Sequence, residues 1–218
     1  MAERSGIVAL GDSITYGEGG IVLGVDGRSW ALWLAQAMDL PYTNYAVPGA
    51  VLGEVLGDQL PRVRRRYDLG LLYAGVNDVR SPGFDADAFT RDIAAAAAGL
   101  AQHADRLLLL TIPVDLGRPR AGAKVATANA VIRRTAEEHG ATVVALDDLA
   151  GERFLLPDAV HPTALGQLEI ADRAARALDT SVLPSAHTPP EQGRRAELRA
   201  ALGWRRMWLR EAWRRSRE

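Results

Sequence analysis

The segment GIVALGDSITYG, residues 6–17, changes character in its middle. Ile7, Val8, Ala9 and Leu10 are an unbroken apolar run of strand length, the pattern of a strand covered on both faces. Gly11, Asp12 and Ser13 then end the run with polar residues at the point where the chain turns toward a helix. Asp12 and Ser13 are residue types that cap helices. A strand that runs straight into a helix start is the first half of a βαβ unit, so the rest of the chain is read for the same alternation.

The alternation continues. Ser29 can cap a helix ending near Met38 that places Trp30, Trp33, Leu34 and Ala37 on one side, and Pro41 restarts extended chain to residue 46. Residues 69–74 are a third apolar run. Asp85 or Asp87 opens an alanine-rich helix to Gln102, residues 107–112 form a strand, and a helix over 123–138 stops before Gly140. Residues 142–146 give the last strand and 163–178 the closing helix. The order β-α-β-α-β-α-β-α-β-α predicts a three-layer α/β/α sandwich on a five-stranded parallel sheet, with no internal repeat.

The 218 residues contain no cysteine, which excludes disulfides, thiolate zinc sites, iron–sulfur ligation and cysteine nucleophiles. Hydrophobic residues at 48% and charged residues at 24% describe an ordinary globule. The N-terminal run is too short for a signal peptide and no run approaches the ~20 apolar residues of a membrane span, so a cytoplasmic location is expected. The net charge of −1 conceals two unlike parts: residues 1–186 carry 17 basic and 23 acidic groups, whereas 187–218 carry nine arginines against four glutamates. This break, together with the proline-rich SVLPSAHTPPEQG, divides the chain into a domain over 1–183, a linker over 184–193 and a basic helix over 194–218.

In open α/β sheets the ligand lies at the carboxyl ends of the strands. The polar residues there are Gly11-Asp12-Ser13, Val47-Pro48-Gly49, Gly75-Val76-Asn77-Asp78 and the loop Asp158-Ala159-Val160-His161-Pro162. Ser13 alone of seven serines stands at a strand-to-helix turn, where free N–H groups and the helix dipole favour a developing oxyanion. The same position suits a plain helix cap. Asp158 precedes His161 by three residues, a spacing that lets a carboxylate hold Nδ1–H and leave Nε2 to accept a proton; an Asx turn fits the spacing as well. His103, His139 and His187 lie at a helix end, a helix stop and the linker. Gly49 offers a closely approachable N–H and Asn77 a neutral side-chain donor, each also common in turns.

Four blocks, LGDSITYG, NYAVPGA, AGVNDV and DAVHP, occur in that order. They are similar to the sequence blocks of the SGNH or GDSL hydrolases, the serine esterase and lipase family named for its Ser, Gly, Asn and His, over about residues 7–180. The resemblance implies a flavodoxin-like sandwich, Ser13 as nucleophile, Asp158 and His161 as the other triad members, and an oxyanion hole built from the N–H groups of Ser13 and Gly49 and the side chain of Asn77. Pro48 departs from the small residue usual before the glycine; it stiffens the approach and removes none of the expected donors. The implied reaction is two-step acyl transfer from a small-molecule ester through an acyl-enzyme. The G-x-S-x-G elbow of α/β-hydrolases is absent. With no H-E-x-x-H, no phosphate-binding loop and no dinucleotide spacing in GEGGIVLG, no metal, cofactor or nucleic acid is expected.

Short acyl or acetyl esters are the expected substrates, with lysophospholipase, thioesterase and acyltransferase activities as alternatives and a non-catalytic binding protein as the rival class. Tyr16, Val79, Arg80 and the basic loop 114–124, with Arg118, Arg120 and Lys124, are expected around the serine, and 18–28 is read as a mobile wall over it. In the tail, Leu198, Ala201, Leu202, Leu209, Ala212 and Trp213 share a helical stripe with Trp208 at its edge and Arg205 interrupting it. The expectation is that this stripe packs on the acidic body or on another subunit; peripheral contact with an anionic membrane is the second reading.

Overall fold

The computed structural model describes residues 5–17 and 22–215, without the side chains of 211, 212, 214 and 215. Residues 18–21 of the expected wall, Ala212 of the tail stripe and positions 216–218 lie outside the described residues. Strand β1 (Ile7–Gly11) is buried along its whole length and passes into a one-turn helix, α1 (Ser13–Tyr16). Ser29 caps α2 (Trp30–Ala37) with its hydroxyl on the Ala31 N–H, and β2 (Tyr42–Asn44) follows. A single helical turn, α3 (Leu52–Glu54), widens through Val55–Gln59 and tightens through Leu60–Arg62 before β3 (Tyr67–Tyr73). Beyond it come α4 (Val76–Arg80), α5 (Ala86–Ala101), β4 (Ala104–Leu110), α6 (Ala123–Glu138), β5 (Thr142–Val144) and α7 (Ala164–Ala177). The turn α8 (Pro184–His187) and the long helix α9 (Arg194–Arg215) complete the chain.

The five strands are all parallel in the order β2-β1-β3-β4-β5, with Ile7 opposite Tyr42 on one side and Leu69 on the other. This is the doubly wound order in which the chain reverses direction at the first strand, opening a crevice beside its carboxyl end. Helices α2 and α7 pack together over one face, α5 and α6 over the other, which makes the expected three layers. Close approach at the centre depends on Gly70 of β3, where a Cβ would lie 2.9 Å from Leu100 of α5.

Several expectations of extent change, among them β2, which stops at Asn44 rather than 46, and β5, which stops at Val144 rather than 146. β4 begins at Ala104 rather than 107: Asp105 and Arg106 are exposed at the solvent end of the strand, so strand geometry extends past the apolar run, while at the other end the strand closes at Leu110, with the Thr111 N–H making a last bond to the Val144 carbonyl of β5. The helical turns over 52–62 and 76–80 carry no apolar period long enough to announce them.

The tail differs more. Ala196, Ala200, Trp204 and Met207 turn toward the body, whereas the predicted packing stripe faces solvent, with Leu198 62%, Leu202 46%, Leu209 62% and Trp213 59% exposed. The reason is shape. Ala196 and Ala200 face the body across a cavity, and the Trp204 indole, which donates to the Leu155 carbonyl at 3.4 Å, decides which side is turned inward. Ion pairs Arg153–Glu197 and Arg199–Glu191 flank the seam. The expected linker begins docked, since Asp172 of α7 accepts from both the N–H and the hydroxyl of Ser185.

Candidate active site

Ser13 stands first in α1, so its N–H has no acceptor within the helix. Asp12, one residue earlier, caps α1 by accepting from the Ile14 N–H at 3.0 Å. The turn is locked by two buried glutamines. Gln59 pairs with the Gly11 backbone in both directions, at 2.9 and 2.8 Å. Gln167 of α7 donates to the Ile14 carbonyl at 2.9 Å and accepts from the Trp30 N–H at 2.8 Å. Ser13 itself is 8% exposed, enough for its hydroxyl to meet a ligand.

The loop before α7 brings the other two groups to it. Thr163 caps α7 by accepting from the Gly166 N–H, and its own hydroxyl donates to the Arg153 carbonyl at 2.6 Å, which closes the loop on itself. Within it Ala159 adopts φ +54°, a conformation L-residues rarely take, and is held there by its N–H on Leu156 and its carbonyl under the Gly117 N–H. That turn sets Asp158 Oδ2 2.6 Å from His161 Nδ1, while Asp158 Oδ1 accepts from the N–H groups of Val160 and His161. His161 Nε2 lies 3.0 Å from Ser13 Oγ. With Nδ1–H given to the carboxylate, Nε2 is the acceptor and the serine hydroxyl the donor. Burial works to raise the Asp158 pKa, but the hydrogen bonds from the His161 ring and from two backbone N–H groups outweigh it and hold the carboxyl below its ordinary range.

Gly49 lies on an exposed loop at φ +83°, which favours glycine, and among the described residues its N–H meets no acceptor. The loop is tied to β1 through Val47 N–H on the Gly11 carbonyl at 3.1 Å. Asn77 of α4 donates to the Ala50 carbonyl at 3.0 Å, which fixes the amide beside that loop and leaves its second hydrogen for another acceptor. Asp78 secures the same junction from below by accepting from the Leu52 N–H, and burial raises its pKa.

Several expected neighbours have other duties. Val79 is fully buried in the core. Arg118 and Arg120 share Asp115 at 2.8 and 2.6 Å, and the Lys124 ammonium donates to the Ser81 carbonyl, so each cation of the basic loop is held by a partner outside the triad. Features that reading the sequence passed over are Gln59, Gln167 and the burial of Asp12, which raises its pKa. Gln167 carried a signal, a polar side chain on the otherwise apolar face of α7; Gln59 carried none. Among the described residues no group of three or more His, Cys, Asp or Glu could hold a metal ion.

A family model described as GDSL-like lipase/acylhydrolase matches residues 9–168. Among solved structures, an α/β hydrolase enzyme, LAE5, from the metagenome of Lake Arreo is similar at TM-score 0.66 and 19% identity, covering 82% of this chain and 97% of that one. A variant of Axe2, an acetyl xylan esterase from Geobacillus stearothermophilus, is similar at TM-score 0.66 and 15% identity, with the same two coverages of 82% and 97%. A lipase/acylhydrolase from Enterococcus faecalis is similar at TM-score 0.64 and 16% identity over 88% of this chain and all of that one. No curated protein sequence matches at comparable strength. At these identities the solved structures speak to the fold, and the family model, which spans most of the chain, speaks to descent: the protein belongs to the GDSL-like lipase/acylhydrolase family.

Proposed function

We propose that this carboxylic ester hydrolase cleaves short acyl esters through a covalent intermediate on Ser13, with His161 as base and Asp158 as its orienting partner. The observation that carries the reading is the continuous relay from Ser13 Oγ through His161, 3.0 Å at Nε2 and 2.6 Å at Nδ1, to a carboxylate held ionised. Ser13 Oγ attacks the ester carbonyl as its proton passes to His161 Nε2. The carbonyl oxygen, now negative, is received by the N–H groups of Ser13 and Gly49 and the free hydrogen of Asn77, each such donor typically worth on the order of 3 kcal/mol in the transition state. The imidazolium then gives its proton to the departing alkoxide, leaving an alcohol and an acyl-serine. Water, deprotonated by the same histidine, attacks the acyl carbonyl, and the carboxylic acid leaves as Ser13 recovers its proton. The acetyl xylan esterase among the similar structures supports an acetyl or short acyl group.

One observation favours a longer acyl chain as a second reading. A cavity of about 540 Å³ lies between α9 and the body, bordered by Leu156 and Pro162 of the histidine loop, by Leu23, Trp204 and Met207, and by Arg206 at its edge. A lysophospholipid or acyl thioester would suit such an apolar space with a cationic border.

The test is a panel of esters graded in acyl length and leaving group, run on the wild type and on Ser13→Ala with fluorophosphonate labelling of each. The expected outcome is that Ser13→Ala loses turnover and labelling while keeping its thermal unfolding transition. Labelling that persists at another residue rejects the assignment, and a preference for long chains transfers it to the second reading.

A further inference from the structure

We propose that the solvent-facing side of α9 docks on an anionic lipid surface. Among the described residues nine large apolar side chains are exposed, and five of them, Leu198, Leu202, Trp208, Leu209 and Trp213, lie along one side of this helix. Single exposed apolar residues are ordinary, whereas a row of them marks a contact surface. The row is not what fastens the helix. α9 is attached by its other side, through buried Ala196, through the Trp204 indole on Leu155 and through the Arg153–Glu197 ion pair, so Leu198, Leu202, Leu209 and Trp213 are left pointing outward, with Trp208 at the edge beside Leu155 and Pro157.

The charge around the row selects the occupant. Arg194, Arg195, Arg205 and Arg206 are exposed beside or within it, and residues 187–218 hold nine arginines against four glutamates, while the remainder of the chain is acidic. Arginine stems lie along apolar surface while their guanidinium groups reach sideways to anionic headgroups, and tryptophan settles at the boundary between headgroup and acyl chain. Arg205, an obstacle to burial in a protein core, is suited to such a boundary. A second copy meeting this side with its own would bring two arginine-rich helices together, and that contact is repulsive. No helix among the described residues is long and apolar enough to cross a membrane, so the contact is one of lying on the surface. It would hold the histidine loop, to which α9 is fastened at Leu155 and Arg153, beside the bilayer.

The full-length protein is sedimented with vesicles of phosphatidylcholine alone and of phosphatidylcholine mixed with phosphatidylglycerol. The expected result is partition onto the mixed vesicles only, reduced by added salt. The double substitution Leu202→Glu with Leu209→Glu should lower that partition by about a hundredfold or more, the loss expected when two leucine side chains no longer enter an apolar phase. Arg195→Glu with Arg205→Glu, which leaves the apolar row intact, should abolish the preference for phosphatidylglycerol. Both variants should keep wild-type thermal unfolding and ester turnover in lipid-free buffer. Equal partition of wild type and variants, or no binding to either vesicle, overturns the proposal. So does a lipid-free dimer in sedimentation velocity that Leu202→Glu with Leu209→Glu converts to monomer, because that result gives the row to a second copy.

Discussion

Asp158 is held ionised against the effect of its own burial, and the manner of holding gives a sharp test. In Asp158→Asn the retained Oδ1 can still accept from Val160 and His161, so the turn should survive. The amide, however, presents hydrogens to Nδ1, which places the imidazole proton on Nε2 and leaves nothing to receive the Ser13 proton. The expected outcome is a loss of about 10³- to 10⁴-fold in kcat with little change in KM or melting temperature, measured by steady-state kinetics and thermal unfolding. Asp12 shows the opposite balance. Desolvation raises it from 3.8 to about 7 against the Ile14 N–H and the nearby His161, and its Oδ2 has no hydrogen-bond partner. The folded state therefore keeps a proton that the unfolded chain has lost, so folding stability falls as pH rises from about 4 through about 7. Asp12→Asn, which cannot ionise, should gain stability relative to the wild type between pH 5 and pH 8, read from urea unfolding at the two pH values; a constant difference would show that Asp12 does not titrate there.

At the scale of elements, the site depends on how tightly α7 meets the loop before it. Gly166 is in the first turn of α7, and a Cβ there would sit 2.0 Å from the Phe154 backbone carbonyl. Neither backbone can move without carrying His161 away from Ser13 or pulling Gln167 from the Ile14 carbonyl. Gly166→Ala is expected to lower both the melting temperature and kcat, by calorimetry and ester turnover, although the residue touches no substrate. Much at this scale was readable in advance, since Ser29, Asp85 and Thr163 announce three helices by their capping side chains and the buried strands are apolar runs. What was not readable has a common cause. Asp105 and Arg106 are strand residues because Tyr67 of β3 pairs with Ala104, and the turns over 52–62 exist because Gln59 reaches the Gly11 backbone; neither partner is near in sequence.

The chain as a whole joins an acidic body to a basic helix across an apolar seam that encloses the cavity. Ala196 is 4% exposed at that seam, so a carboxylate placed there would lose its water. Ala196→Asp should speed hydrogen exchange of the α9 amides while those of β1 and β3 keep their protection, because an unpaired buried charge costs several kcal/mol and the helix can leave without disturbing the sheet. The alternation of strands and helices, the four blocks at the strand ends, the zero cysteine count and the division of charge are properties of local pattern or composition, and the amino-acid order carries them directly. That Ser13 and His161, separated by 148 positions, stand 3.0 Å apart, and that α9 turns Ala196 and Trp204 inward while its leucines face outward, follows from contacts between distant segments. Periodicity reports which residues are apolar, but which apolar face is buried depends on the shape of the surface it meets.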